Sequence, residues 1–168
     1  MSLIIDAFTY AATKHRDQKR KYSGAPYIVH PFAVARTVEA FGYRAEVVAA
    51  ALLHDVVEDT DATLKDVMDR FGRDVASLVA MVTDVSLPSD GNRAVRKAID
   101  RVHLAQASDE GKAIKLADTI DNTHDIVAND PKFAATYLAE KRLLLPHLTG
   151  ANEELYRIAH RAVFGETP

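Results

Sequence analysis

Residues 49–60, with the sequence AAALLHDVVEDT, concentrate ionisable side chains that could do chemistry. Successive residues of a helix turn by about 100°, so four ionisable groups fall on one face of a helix here: His54, Asp55, Glu58 and Asp59. Three carboxylates on one face repel one another at neutral pH unless a cation neutralises them. The segment therefore indicates a metal site, although the same string also suits the solvated end of a charged helix.

Two further segments offer ligands of the same kind. In KLADTIDN (residues 115–122), the carboxylate of Asp118 lies beside apolar residues and needs a partner. His30 lies between an apolar run and Pro31. Taken alone, the KLADTIDN segment suits an ordinary amphipathic helix with an acidic surface. His30, taken alone, suits a hydrogen-bonded core residue. Together with His54 and Asp55 they form a two-His, two-carboxylate set, which suits Mn²⁺, Fe²⁺ or Zn²⁺ with positions left for water.

Composition excludes several other chemistries. The chain has no cysteine, which rules out disulfides, thiolate zinc sites and iron–sulfur clusters. Its formal net charge is −3, so it lacks the basic footprint of a nucleic-acid-binding domain. The first residues contain Asp6 and no long apolar run, which predicts neither a signal peptide nor a membrane span. We expect a cytoplasmic protein with no nucleic-acid or membrane partner.

The elements that must position these groups have helical periodicity almost throughout. We predict an all-α bundle of about eight helices in one domain, residues 1–168. Pro31 suits the first turn of a helix, and Thr63 is expected to cap another. Residues 44–58 are predicted to form one uninterrupted helix, and residues 112–128 another. No alternating pattern indicates a strand.

These motifs resemble a known family. His30, the His54–Asp55 pair and Asp118 match the H…HD…D signature of the HD-domain metal-dependent phosphohydrolases, which are helical. More closely, a series of motifs is similar, in order, to the hydrolase domain of RelA/SpoT-type proteins: RKYSGAPYIVHP (20–31), LLHDVVEDT (52–60), FG (71–72), VTD (82–84) and KLAD (115–118) with Asn122. The resemblance covers most of residues 1–150. It implies removal of the 3′-pyrophosphate from ppGpp and pppGpp, a stringent-response activity that uses one Mn²⁺.

The resemblance also implies a role for individual residues. The metal ligands are expected to be His30, His54, Asp55 and Asp118. The catalytic acidic pair is expected to be Glu58 and Asp59. The expected substrate contacts are Arg20, Lys21, Ser23, Lys115 and Asn122. Mn²⁺ is the expected ion, with Fe²⁺, Zn²⁺, Ni²⁺ or Co²⁺ as alternatives in a purified sample. The expected partner is a small phosphorylated nucleotide. The oligomeric state, monomer or homodimer, is left open.

The sequence departs from the family around the last motif. Family members usually carry Arg after the Asp of KLAD, whereas this chain has Thr119, and Asp121 and His124 also replace the usual residues. These changes bear on the substrate more than on the metal or the reaction. An HD phosphohydrolase for another nucleotide, such as NADPH, is therefore one alternative, and a non-catalytic nucleotide-sensing domain is another. We expect a stand-alone small alarmone hydrolase, because 168 residues leave no room for a synthetase domain.

Overall fold

The computed structural model describes residues 2–165, so Met1 and residues 166–168 of the predicted domain lie outside the described residues. The described part is all-α, as predicted, and its β-structure is limited to two isolated bridges. None of its helices combines the length and the apolar character that crossing a bilayer requires. In chain order the helices are α1 (Leu3–Lys14), α2 (Val29–Ala40), α3 (Ala45–Leu53), α4 (Val56–Asp59), α5 (Leu64–Phe71), α6 (Arg73–Val82), α7 (Arg93–Ala105), α8 (Asp109–Asn129), α9 (Pro131–Leu144) and α10 (Glu153–Phe164).

Helix α3 occupies the middle of the bundle. It packs against α1, α2, α6 and α8, and every residue from Val47 to Leu53 is buried. Over these residues the helix therefore has no solvent-facing side. The run of small side chains at Ala49, Ala50 and Ala51 leaves room for neighbouring helices on all sides. The consequence is that any group at the end of α3 begins inside the protein.

The predicted continuous helix over 44–58 was also wrong. Helix α3 ends at Leu53, and the single turn of α4 begins at Val56. The imidazole Nδ1 of His54 hydrogen-bonds the carbonyl of Ala51 at 2.7 Å. In an uninterrupted α-helix this carbonyl accepts the backbone N–H of Asp55, so the ring competes for it. His54 and Asp55 therefore lie between the two helices, His54 at the end of α3 and Asp55 at the start of α4.

Capping side chains set where other helices begin. Thr63 and Asp66 form the expected capping box, with the Thr63 N–H donating to the Asp66 carboxylate at 2.8 Å. Helix α8 starts earlier than the predicted 112–128, because the Ser108 hydroxyl accepts the N–H of Gly111 and caps it. Residues 109–111, which the prediction left outside the helix, are thus the first turn of the helix that carries the KLAD motif.

Candidate active site

Four predicted ligands converge from three places in the fold. His30 lies in the first turn of α2, His54 and Asp55 lie at the break after α3, and Asp118 lies in α8. The Nε2 atom of His30 is 3.3 Å from Asp118 Oδ1 and 3.6 Å from Asp55 Oδ2. The Nε2 atom of His54 is 3.1 Å from Asp55 Oδ2 and 3.9 Å from Asp118 Oδ1. We name these four residues the candidate centre.

The two imidazoles have the arrangement that a bound metal ion requires. Both rings are buried, and both Nε2 atoms lack a hydrogen-bond partner. The Nδ1 atom of His54 faces a carbonyl that can only accept, so Nδ1 carries the proton. The Nδ1 atom of His30 is likewise held by the Asp121 carboxylate at 2.6 Å. With Nδ1 protonated, each Nε2 lone pair is free to bind a metal, and the residues fit a divalent ion.

The electrostatics of the candidate centre call for positive charge. Burial opposes a charge on His30, but the neighbouring carboxylates of Asp118 and Asp121 raise its pKa to about 9. Burial also opposes a charge on Asp118, yet Lys115 and His30 hold the pKa of that carboxyl well below its usual range. The carboxylates therefore favour positive charge between them. A divalent ion held by these residues would supply that charge in place of a proton.

Glu58 and Asp59, the predicted catalytic pair, lie on α4 at the exposed edge of the candidate centre. The carboxylate of Glu58 accepts the backbone N–H of Asp84 at 2.6 Å. Desolvation by the surrounding protein raises the pKa of Glu58 to about 7, and the charge of Lys115 opposes the shift. Desolvation and the charge of Asp55 also raise the pKa of Asp59. A carboxyl that titrates near neutrality is suited to proton transfer.

Two residues that the sequence analysis assigned no role hold the ligands in place. The Tyr27 hydroxyl donates to Asp55 Oδ2 at 2.7 Å, and the Tyr27 ring meets the His30 ring edge-on. Asp121 fixes His30 through Nδ1. Sequence spacing could have indicated both residues. Tyr27 lies three residues before His30, and Asp121 lies three residues after Asp118, on the same side of α8.

Three of the predicted substrate contacts lie against the candidate centre. Asn122 donates to Asp118 Oδ1 at 2.5 Å, and Lys115 Nζ is 3.1 Å from Asp118 Oδ2. Arg20 donates to Asn122 at 3.1 Å. The guanidinium of Arg20 is also paired with Asp125 at 2.8 Å and Asp121 at 3.4 Å. Arg20 is thus neutralised by α8, and it braces the carboxylate that orients His30.

Lys21 and Ser23 are held apart from the candidate centre, on the loop between α1 and α2. Lys21 is largely exposed and pairs with Asp130 at 3.2 Å. The Ser23 hydroxyl accepts the N–H of Ala25 at 3.3 Å. Two departures from the family pattern also lie away from the site: Thr119 is fully buried and donates to the Lys115 carbonyl, and His124 is exposed.

Comparison with known proteins agrees with this geometry. A family model described as the HD domain matches residues 7–144. The guanosine-3′,5′-bis(diphosphate) 3′-pyrophosphohydrolase MESH1 of Drosophila melanogaster is 38% identical over 160 residues, which cover 90% of this chain and 88% of that protein. MESH1 of Homo sapiens is 44% identical over 127 residues, which cover 73% and 69% of the two chains.

A solved structure gives the same result for the fold. It is described as a metazoan orthologue of SpoT that hydrolyses ppGpp, and it matches with a TM-score of 0.87 at 35% identity, covering 98% of this chain and 96% of its own. The resemblance drawn from the sequence motifs is confirmed. The chain belongs to the HD-domain family, as a homologue of the MESH1/SpoT-type ppGpp 3′-pyrophosphohydrolases.

Proposed function

We propose that the protein is a metal-dependent phosphohydrolase that cleaves the 3′-pyrophosphate from ppGpp and pppGpp, releasing GDP or GTP and pyrophosphate. The observation that carries this proposal is the pair of buried, unpartnered Nε2 atoms of His30 and His54, which face two carboxylates beside an acidic pair. The names of the homologues, which specify this reaction, support the choice of substrate.

The candidate centre suits one divalent ion, and we propose Mn²⁺ because mixed imidazole and carboxylate ligands accommodate it. When bound, the ion supplies Lewis-acid chemistry that lowers the pKa of a water and draws charge from a phosphoryl oxygen. The chain itself fixes the geometry. Asp121 orients His30, the Ala51 carbonyl orients His54, and the Tyr27 hydroxyl orients Asp55.

In the proposed step, Glu58 accepts a proton from the attacking water, and the bond between phosphorus and the ribose 3′ oxygen breaks. Asp59 returns a proton to the ribose oxygen as it leaves. The pKa of about 7 supports the assignment of Glu58, because a base needs a pKa near the working pH. Desolvation also raises the pKa of Asp59, which is the direction that suits a proton donor. The pair lies within one turn of helix, so both groups reach the same side of the substrate.

Charged and polar neighbours complete the proposed substrate site. Lys115 and Asn122 lie against Asp118, where we propose they offset phosphoryl charge and approach the nucleoside. We propose that Arg20 supports this site indirectly, because its ion pairs with Asp121 and Asp125 hold it against α8. Lys21 and Ser23 lie on the adjoining loop, where they are proposed to meet the nucleotide from outside.

The test is a side-by-side incubation of Mn²⁺-loaded protein with ppGpp and with NADPH, with chromatography of the products. We expect GDP and pyrophosphate from ppGpp, loss of turnover after chelation, and recovery when Mn²⁺ is restored. Phosphate release from NADPH with ppGpp untouched would reassign the substrate. Binding of ppGpp without turnover by fully metal-loaded protein would make the chain a sensor.

A further inference from the structure

A second, small pocket lies beside the candidate centre, between α7, α8 and α9. We name it the lysine pocket, because its walls carry four cationic side chains: Lys97, Arg101, Lys115 and Lys141. Each of the three helices contributes at least one of them. The pocket is therefore formed only by the packed bundle and corresponds to no single motif.

The lysine pocket and the candidate centre share a wall. Lys115 lines the pocket and lies 3.1 Å from the Asp118 carboxylate. Asp84 also lines the pocket, and its backbone N–H donates to Glu58. One layer of side chains thus separates the pocket from the proposed metal ligand on one side and from the proposed base on the other.

The carboxylates of the lysine pocket are already engaged. Asp84 pairs with Lys97 at 2.6 Å. Glu140 pairs with Arg93 at 2.6 Å. Asp100 accepts two backbone N–H groups and one hydroxyl, and its carboxylate lies 3.7 Å from Lys97. Lys115 is paired outside the pocket walls, with Asp118. The ion pairs of the pocket carboxylates are thus made with Lys97 and Arg93, and not with Lys141 or Arg101.

Two cations of the lysine pocket, Lys141 and Arg101, form no ion pair among the described residues. Within the part of the chain that the structure describes, neither has a carboxylate oxygen within 4.0 Å. The Lys141 ammonium instead lies 5.1 Å from the centre of the Tyr137 ring. Burial and the charge of Lys115 lower the pKa of Lys141 to about 8. Asp118 and Asp84 act on this half-buried charge from beyond ion-pair distance, and an anion bound within hydrogen-bond reach would stabilise it further.

On the basis of the proposed hydrolysis, we propose that the lysine pocket binds the outer phosphoryl group of the 3′-pyrophosphate, and that Lys141 selects a pyrophosphate over a single phosphate. A pyrophosphate consists of two phosphoryl groups joined through one oxygen. When the inner group reacts beside Asp118, the outer group lies next to Lys115, at the shared wall. The outer group carries the negative charge that Lys141 lacks.

The kinetic test compares Lys141→Met with Lys132→Met, which removes an exposed lysine from the same helix. The substrates are ppGpp and guanosine 5′-diphosphate 3′-monophosphate. We expect Lys141→Met to lower kcat/KM for ppGpp by about 10- to 100-fold, the usual effect of losing a charged hydrogen bond, and to spare the monophosphate. Lys141→Arg should retain most of the activity, and Lys132→Met should affect neither substrate. An equal loss on both substrates, or no loss on ppGpp, would overturn the assignment.

A binding measurement separates this inference from the proposed function. Metal-free protein is titrated with inorganic pyrophosphate in a calorimeter. We expect Lys141→Met to bind about 10-fold more weakly than Lys132→Met. If the unaltered protein hydrolyses neither substrate but shows this difference, the proposed function fails and the subsite stands. If pyrophosphate binding is the same with and without the Lys141 charge, the subsite is wrong. Arg101→Met applies the same test to the second unpaired cation if Lys141→Met does not fold.

Discussion

The candidate centre and the lysine pocket meet at the ion pair between Asp118 and Lys115, and their charges are opposite. The candidate centre joins side chains from helix ends and from the middle of α8, each held by a further hydrogen bond, and its carboxylates favour a cation. The lysine pocket is lined by long side chains of α7, α8 and α9, and two of its cations, Lys141 and Arg101, have no ion pair within the described residues. The comparison shows how one wall can place a metal ion and a phosphoryl group side by side.

The largest effect is expected from Asp55→Ala. The change removes a proposed ligand, and the loss of several kcal/mol of Lewis-acid stabilisation should lower hydrolysis at least about 1,000-fold. Metal content, measured by elemental analysis, should fall with it. Asp69→Ala, which removes an exposed carboxylate whose one ion pair among the described residues is with Lys65, is the matched control. Full activity and full metal occupancy in Asp55→Ala would remove the candidate centre from the reaction.

Glu58→Gln should come next, because it keeps the shape of the side chain but abolishes proton acceptance. Turnover is expected to fall by about 10²- to 10⁴-fold with the metal retained. In the unaltered protein, kcat/KM should rise with pH around 7, since only the deprotonated form of Glu58 accepts a proton and its pKa is about 7. A pH–rate profile of both proteins checks this: the variant should lack the rise. Normal turnover in Glu58→Gln would contradict the assigned role.

Asp121→Ala, compared with Asp125→Ala, separates the orientation of the His30 ring from the loss of a carboxylate charge beside Arg20. Both Asp121 and Asp125 pair with Arg20, but only Asp121 holds the His30 ring. We expect Asp121→Ala to weaken metal binding by about 10- to 100-fold, measured by titration with a competing chelator. Asp125→Ala should change it little. Equal weakening by the two variants would mean that Arg20, and not the His30 contact, governs the candidate centre.

The smallest effect is expected from Thr63→Ala, which removes the capping box of α5. Thr63 belongs neither to the candidate centre nor to the lysine pocket. The free energy of unfolding should fall by about 1 kcal/mol, which lowers Tm by about 2–4 °C in a chain of this size. Metal content and kinetic constants should stay the same. A parallel loss of activity would show that the larger effects above arise partly from general destabilisation.

The proposed ligands of the candidate centre could be identified in the sequence because their pattern is local. His54 and Asp55 are adjacent, and each of the other two proposed ligands stands in a short motif. The continuous helix predicted around them was wrong, since the bond from the His54 ring to the Ala51 carbonyl competes with helical hydrogen bonding. Periodicity describes side-chain direction and contains no information about a side chain that binds its own backbone.

The lysine pocket could not be predicted from the sequence. Lys141 follows Glu140 on a helix with several other charged residues, and nothing in that spacing distinguishes a buried ammonium from an exposed one. Arg20 illustrates the same difficulty. It was expected to contact substrate, but the structure pairs it with carboxylates about a hundred residues further along the chain. The partners of long, flexible side chains depend on tertiary contacts, and the local sequence does not specify them.

Helix α3, buried on every side, has a consequence for the motions of the protein. Fraying of any one outer helix leaves the others that cover α3 in place, so the amide hydrogens of Val47 to Leu53 should exchange with solvent only through global opening. His54 and Asp55 follow directly on this segment. Two of the four proposed ligands are therefore anchored to the slowest-exchanging part of the chain, and peripheral fluctuations leave their spacing intact.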